Sequence, residues 1–130
     1  MTDRDVLDEF LDAYNEGRFD DLRTHVATGY IHHNGALALT ADQFCAGAAW
    51  IRRGAPDFRI TVLDRIAQSD QVAARFEDTG THTGSFGGEA PSGKMFTLYG
   101  TTIYRIEGGK IAEDWEALDE QPLRDLLAGA

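Results

Sequence analysis

Ile103-Tyr104-Arg105-Ile106-Glu107-Gly108-Gly109-Lys110-Ile111-Ala112-Glu113-Asp114-Trp115 consists of two apolar-patterned runs around a paired-glycine turn. Two adjacent glycines supply the positive φ that a tight hairpin needs, so the spacing predicts long antiparallel strands over 97–106 and 111–118. Successive side chains of a strand leave on opposite faces. Asp114 therefore projects to one side of the sheet while Glu113 and Trp115 project to the other. If the Asp114 side lines a closed apolar pocket, loss of water favours the neutral form of a carboxyl and suits it to proton exchange near neutral pH. This is the seed of an enzyme reading.

The same period extends upstream. Phe58, Ile60 and Val62 alternate with Arg59 and Thr61, and Ser69-Asp70 turns the chain into Val72-Ala73-Ala74-Arg75-Phe76, which reads as a second pair of strands. Before Pro56 the period is helical. Thr2 with Asp5 resembles a helix cap, with Val6, Phe10, Leu11 and Tyr14 recurring on one face as far as Gly17. Phe19 to about Val26 gives a shorter amphipathic piece that stops before a Thr28-Gly29 turn. Thr40-Ala41-Asp42-Gln43 is a capping box that opens a third helix, stopped by Gly54-Ala55-Pro56. Residues 121–127 form a short amphipathic tail helix. Helices followed by a meander of strands predict an α+β fold in one domain over 1–130, the helices covering one face of a curved antiparallel sheet.

Composition narrows the function classes. The 130 residues carry 22 acidic and 12 basic side chains, a formal charge of −10, which repels nucleic-acid phosphates and anionic lipid. No nucleic-acid or membrane partner is expected, and a small, weakly charged hydrophobic substrate fits better. No apolar run approaches the length of a membrane span, and the acidic start Met1-Thr2-Asp3-Arg4-Asp5 is unlike a secretion signal, so a cytoplasmic location is expected. Cys45, the single cysteine, has no disulfide partner and reads as a buried packing residue.

Two polar clusters are candidate chemistry. His82 ends a strand inside Thr79-Gly80-Thr81-His82-Thr83-Gly84, placed to orient a carbonyl or to share a proton with Asp114. In Tyr30-Ile31-His32-His33-Asn34 the adjacent histidines point opposite ways, so one at most faces a pocket; His33 is taken as that member, beside Asn34. No His/Cys spacing suited to zinc is present, and neither a metal nor an organic cofactor is expected. Tyr14, Trp50 and Phe76 are the aromatic candidates for a cavity wall. Glu77, Asp78, Glu113 and Glu116 read as surface charges, and Arg75 as the partner of a nearby carboxylate. Gly88-Glu89-Ala90-Pro91-Ser92-Gly93-Lys94 has the spacing of a phosphate-binding loop, but Met95 replaces the magnesium-ligating hydroxyl and no helix follows; it reads as an ordinary loop.

The order of these segments resembles the SnoaL-like polyketide cyclase family. It runs from His32-His33-Asn34 through Pro56-Asp57-Phe58-Arg59-Ile60, Asp70-Gln71-Val72-Ala73, Gly80-Thr81-His82-Thr83-Gly84 and Pro91-Ser92-Gly93-Lys94 to Ile103–Ile111 and Asp114-Trp115. The resemblance implies the nuclear transport factor 2-like cone, a fold shared by isomerases, dehydratases, cyclases, hydrolases and non-catalytic association domains. It also implies that Asp114 is the acid/base of an intramolecular aldol ring closure. The family's histidine on the preceding strand is replaced here by Tyr99-Gly100-Thr101-Thr102, which leaves Tyr99 or His82 to donate the hydrogen bond to an enolate. Epoxide opening or isomerisation is the enzymatic alternative, with Arg75 and Asp78 as the available partners of an Asp-Arg-Asp set. A non-catalytic dimeric small-molecule-binding module is the other. The exposed face of an open sheet predicts a homodimer.

Overall fold

The computed structural model describes residues 2–129, without the side chains at 3–5; the expected cap between Thr2 and Asp5 involves position 5 and lies outside the described side chains. Four helices and six strands run in the order α1 (Asp3–Asn15), α2 (Phe19–Thr24), β1 (Val26–Asn34), β2 (Leu37–Thr40), α3 (Ala41–Gly54), β3 (Arg59–Gln68), β4 (Gln71–Thr81), β5 (Met95–Glu107), β6 (Lys110–Leu118) and α4 (Gln121–Leu127). The fold is α+β, one curved six-stranded sheet with helices against its concave face.

Local signals account for most elements. Gly108 and Gly109 both adopt positive φ, 60° and 75°, and Glu107 pairs with Lys110 across the turn, the primed-turn geometry that matches strand twist. The capping box of α3 forms in full: the Thr40 hydroxyl accepts from the Gln43 backbone N–H and the Gln43 side-chain Oε1 accepts from the Thr40 backbone N–H. Cys45 is buried on this helix. Gly88–Lys94 is irregular loop leading into β5.

Two expectations need correction. Val26 to Asn34 is one continuous strand rather than a helix end and a turn leading into an extended segment: Gly29, at φ 83°, sits inside β1, where the ladder to β6 shifts register between Val26 and Ile31. A glycine at positive φ within a strand makes a bulge, not a reversal. The sheet is also not wholly antiparallel. Its order is β2-β1-β6-β5-β4-β3, and β1 lies parallel to β6.

The core between helices and sheet is one cluster that includes Leu7, Phe10, Leu22, Val72, Leu98 and Ile111. At the sheet edge Asn15, the last residue of α1, exchanges two hydrogen bonds with Ile60, donating to its carbonyl at 2.9 Å and accepting from its N–H at 2.8 Å. The helix end thereby occupies part of the edge of β3. No helix among the described residues is long and apolar enough to cross a membrane.

Gly54, at the end of α3, is packed too closely for a side chain, since a Cβ there would lie 2.2 Å from the buried ring of Phe86. Gly54→Ala should displace that ring and lower stability by about 1–3 kcal/mol, read as a reduced midpoint in urea with an unchanged m-value.

Candidate functional site

Strand phase puts one row of β1 and one row of β6 on the concave side. Tyr30, His32 and Asn34 share a face because they are two apart; Asp114 and Glu116 do the same on β6. The parallel register sets His32 opposite Asp114 and Asn34 opposite Glu116. Both carboxylates find donors on the neighbouring strand. The Tyr30 hydroxyl donates to Asp114 Oδ2 at 2.7 Å, His32 Nδ1 lies 2.5 Å from Asp114 Oδ1, and Asn34 Nδ2 donates to Glu116 Oε1 at 3.1 Å. Phe44 of α3 packs edge-on against the His32 ring at 4.8 Å.

These groups border a cavity of about 450 Å³, within the usual range for a small-molecule site. Its wall is mainly apolar, with Phe10, Phe44, Phe58 and Leu98 among the lining side chains. Leu37 of β2, Trp50 of α3 and Leu127 of α4 line it while remaining partly exposed, which places them at the mouth. Asp114 is 1% exposed and lines the cavity together with His32, Asp78 and Glu116.

Burial alone would push the His32 imidazole down. Its hydrogen bonds to Asp114 and Glu116, with the charges of both, outweigh that and raise it to about 9, so at neutral pH it is an imidazolium against Asp114. Its Nε2 is 3.6 Å from Glu116 Oε1, a longer and weaker contact than the one to Asp114, so this second N–H is only loosely held. Tyr30 is held protonated, pushed far up by burial and by Asp114. Asp114 is thus not the solitary acid in an oily wall that the sequence implied. Both its oxygens are engaged, one by a phenol that keeps its proton and one by an imidazolium that can release its own.

Of the sequence candidates, Tyr14, Asn34, Trp50, Phe76 and Asp114 line the cavity, and three do not. His33 faces the opposite side, where it stacks on Trp115 at 5.5 Å and an interplanar angle of 5° and bonds Glu113 at 2.6 Å; the pocket histidine is His32. Tyr99 is 55% exposed and hydrogen-bonds Glu77, because the inward phase of β5 belongs to Phe96, Leu98, Thr102 and Tyr104. His82 lies just past β4 and cannot reach Asp114 from its loop. Ser92 N–H donates to its Nδ1, which leaves Nε2–H to donate to Glu89 at 2.8 Å. Glu89 also accepts from the N–H groups of Phe86 and Gly87, and these bonds, that to His82 foremost, hold its carboxyl down at about 2. His82 is the clasp of the β4–β5 loop.

Asp78 and Glu116, read as surface charges, are cavity residues instead. For Asp78 the signal was present in strand phase, since it shares parity with Val72, Ala74 and Phe76, all buried on β4. Arg75 has the opposite parity and pairs with Asp64 on the exposed face at 3.1 Å, away from Asp114. Among the described residues no group of three or more His, Cys, Asp or Glu side chains is arranged to hold a metal ion.

The family model for SnoaL-like polyketide cyclases matches residues 4–126. The chain belongs to this family. A curated relative, aklanonic acid methyl ester cyclase AcmA of Streptomyces galilaeus, is 28% identical over 112 residues, 81% of this chain and 77% of that protein. Among solved structures, AclR of the same organism superposes with a TM-score of 0.88 at 23% identity, covering 98% of this chain and 82% of AclR. An NTF2-like protein of Cytophaga hutchinsonii superposes at 0.72 and 17% identity over 95% of this chain and 96% of its own. These structural likenesses establish the nuclear transport factor 2-like fold of this SnoaL-like chain.

The His32–Asp114 pair predicts a signature in stability. The folded imidazole lies near 9 and the unfolded one near 6.5, so the pair's contribution is complete below pH 6.5 and is lost as pH rises through about 9. Urea unfolding at pH 6 and pH 9.5 should show that loss in the parent protein, and His32→Gln should reduce it, the remainder coming from the buried Asp78 carboxyl, which is raised to about 8 and costs stability as pH rises toward that value.

Proposed function

We propose that this protein is a ring-closing enzyme acting on a hydrophobic carbonyl compound by proton transfer at Asp114, without a cofactor. The observation that carries the reading is a nearly inaccessible carboxylate, 1% exposed, inside a mainly apolar cavity and bonded to a phenol and an imidazolium. The relative named for aklanonic acid methyl ester supports a polyketide methyl ester as the substrate class.

In this scheme an Asp114 oxygen takes a proton from the carbon beside a carbonyl. The resulting enolate oxygen accepts a hydrogen bond from the Nε2–H of His32, which only the longer contact to Glu116 holds, a donor role that His82 and Tyr99 are too far outside the cavity to fill. The enolate carbon then bonds to a second carbonyl carbon of the same molecule, whose π electrons move onto oxygen, and this alkoxide recovers the proton from Asp114. Substrate and product are isomers, and neither oxidant nor co-reactant is consumed. General acid/base catalysis supplies about 10²–10⁴-fold; holding a flexible chain folded in a shaped cavity supplies much of the remainder.

Epoxide opening loses support because Arg75 is on the other face, paired with Asp64. The two hydrogen bonds to Asp114 also suit a non-catalytic binding module, and a parent protein that binds a polyketide ester yet never converts it would favour that reading. Asp114→Asn should fold normally, bind the ester, and lose about 10²–10⁴-fold in kcat; a well-folded variant with undiminished kcat would remove the general-base role.

The molecule is further proposed to act as a homodimer through the convex face. Ile66, Ala73, Ile103 and Trp115 form a continuous row across β3, β4, β5 and β6. Three are large apolar side chains open to solvent, Ile66 at 75%, and such a row is a natural self-complementary patch. Light scattering after size exclusion should give a dimer for the parent and a monomer for Ile103→Glu combined with Trp115→Glu; a parent that runs as a monomer sinks the dimer.

A further inference from the structure

Among the carboxyls of the cavity wall that the ring-closure scheme does not use, Asp78 stands apart. Asp78 is 3% exposed, lines the cavity, and its Oδ1 is buried without a hydrogen-bond partner among the described residues. Burying a polar atom unpaired is costly, whereas both oxygens of Asp114 are engaged.

The register separates the two acids. Tyr104 pairs with Asp114 on one side and with Val72 on the other, so the stretch of β4 from Val72 to Asp78, roughly 20 Å of strand, lies between the level of Asp114 and Asp78. Glu116 stands between them: its charge acts on Asp78 and Tyr14 at one end and on Tyr30 and His32 at the other. The cavity thus has two polar poles with Glu116 between them, the one at Asp114 bonded internally and the one at Asp78 left open.

We propose that Asp78 is a second anchor of this cavity, a specificity-determining residue that donates a hydrogen bond to a carbonyl oxygen of the substrate at the end remote from Asp114. The inference rests on the cavity being the substrate site, as in the proposed function. Burial, and then the charge of Glu116, push the Asp78 carboxyl up to about 8, so at neutral pH it is a neutral acid with a proton to donate. The other ionisable groups around it are Tyr14 of α1, Glu116 of β6 and Tyr104 of β5, with Arg52 of α3 acting on Tyr14. Both tyrosines are pushed up by burial and stay neutral. With Glu116 as the near charge, a neutral ketone or ester is favoured at this pole over an anionic group.

1-Tetralone and tetralin share a bicyclic skeleton and differ by one carbonyl, so the ratio of their dissociation constants isolates the oxygen contact. Calorimetric titration at pH 6.5 should show that ratio falling about tenfold from the parent to Asp78→Leu, while Asp78→Asn, which keeps an N–H donor, stays within about threefold. At pH 9.5 the parent should lose its ketone preference and Asp78→Asn should keep it. His32 also titrates in that range, but equally in both proteins, so the difference between them reports Asp78. This arm stands even if Asp78→Leu does not fold. An unchanged ratio in Asp78→Leu, or a ketone preference that survives at pH 9.5 in the parent, overturns the proposal. An active Asp114→Asn alongside the expected ratios would sink the ring-closure chemistry and leave the anchor in place; an inactive Asp114→Asn with unaltered ratios would do the reverse.

Discussion

The parallel pairing of β1 with β6 is the constraint on which the site depends. Parallel neighbours cannot be joined by a hairpin, and here the chain between the two strands includes β2, α3, β3, β4 and β5. That long return brings Tyr30, His32 and Asn34 alongside Asp114 and Glu116 in one ladder. A slip of one residue would turn every side chain of β1 to the other face, setting Ile31 and His33 toward the cavity. The convex side resists the slip, because His33 stacks on Trp115 and bonds Glu113. Each histidine of the adjacent pair thus fastens the same two strands from its own side.

Features carried by a few neighbouring residues were legible in the sequence. The paired glycines of the β5–β6 turn, the capping box at Thr40 and the alternation through β3 and β4 needed nothing beyond their own chain segment. The choice between His32 and His33 was of another kind. Alternation says that the two diverge, but which one faces inward is set by a register with residues more than 80 positions away. Gly29 misled for a related reason: positive φ serves a turn or a bulge, and only the partner strand decides which. The partners of His82 belong to a loop with no period to read.

Asp78 and Tyr99 are instructive because their placement could have been read locally. Val72, Ala74, Phe76 and Asp78 share one phase of β4, and Tyr99 is out of phase with Phe96, Leu98, Thr102 and Tyr104 on β5. Charge favoured an exposed Asp78 and aromatic character an inward Tyr99, and in both cases strand phase prevailed. Residues that break a local rule in this way gather where stability is given up for function. Asp78 lies at one end of the cavity with an unsatisfied oxygen, while Asp114 and Glu116 have partners on β1.

A fold that supports so many chemistries says little by itself about what happens inside it; the partners of the β6 carboxylate say more. A guanidinium in contact with Asp114 would fix its charge permanently, since arginine does not release its proton in proteins. Arg75 lies on the convex face with Asp64, Arg52 donates to the backbone carbonyl of Phe58, Arg105 pairs with Glu107 and Glu113, and Arg124 of the cavity wall pairs with Glu120, so each is engaged elsewhere. The groups bonded to Asp114 are a phenol, which keeps its proton, and an imidazole, which can give its proton up and take it back. Because His32 carries its proton at neutral pH, the site holds a mobile proton beside a base and shielded from bulk water. Such an arrangement is suited to moving protons on a bound carbon skeleton rather than to clamping a charge.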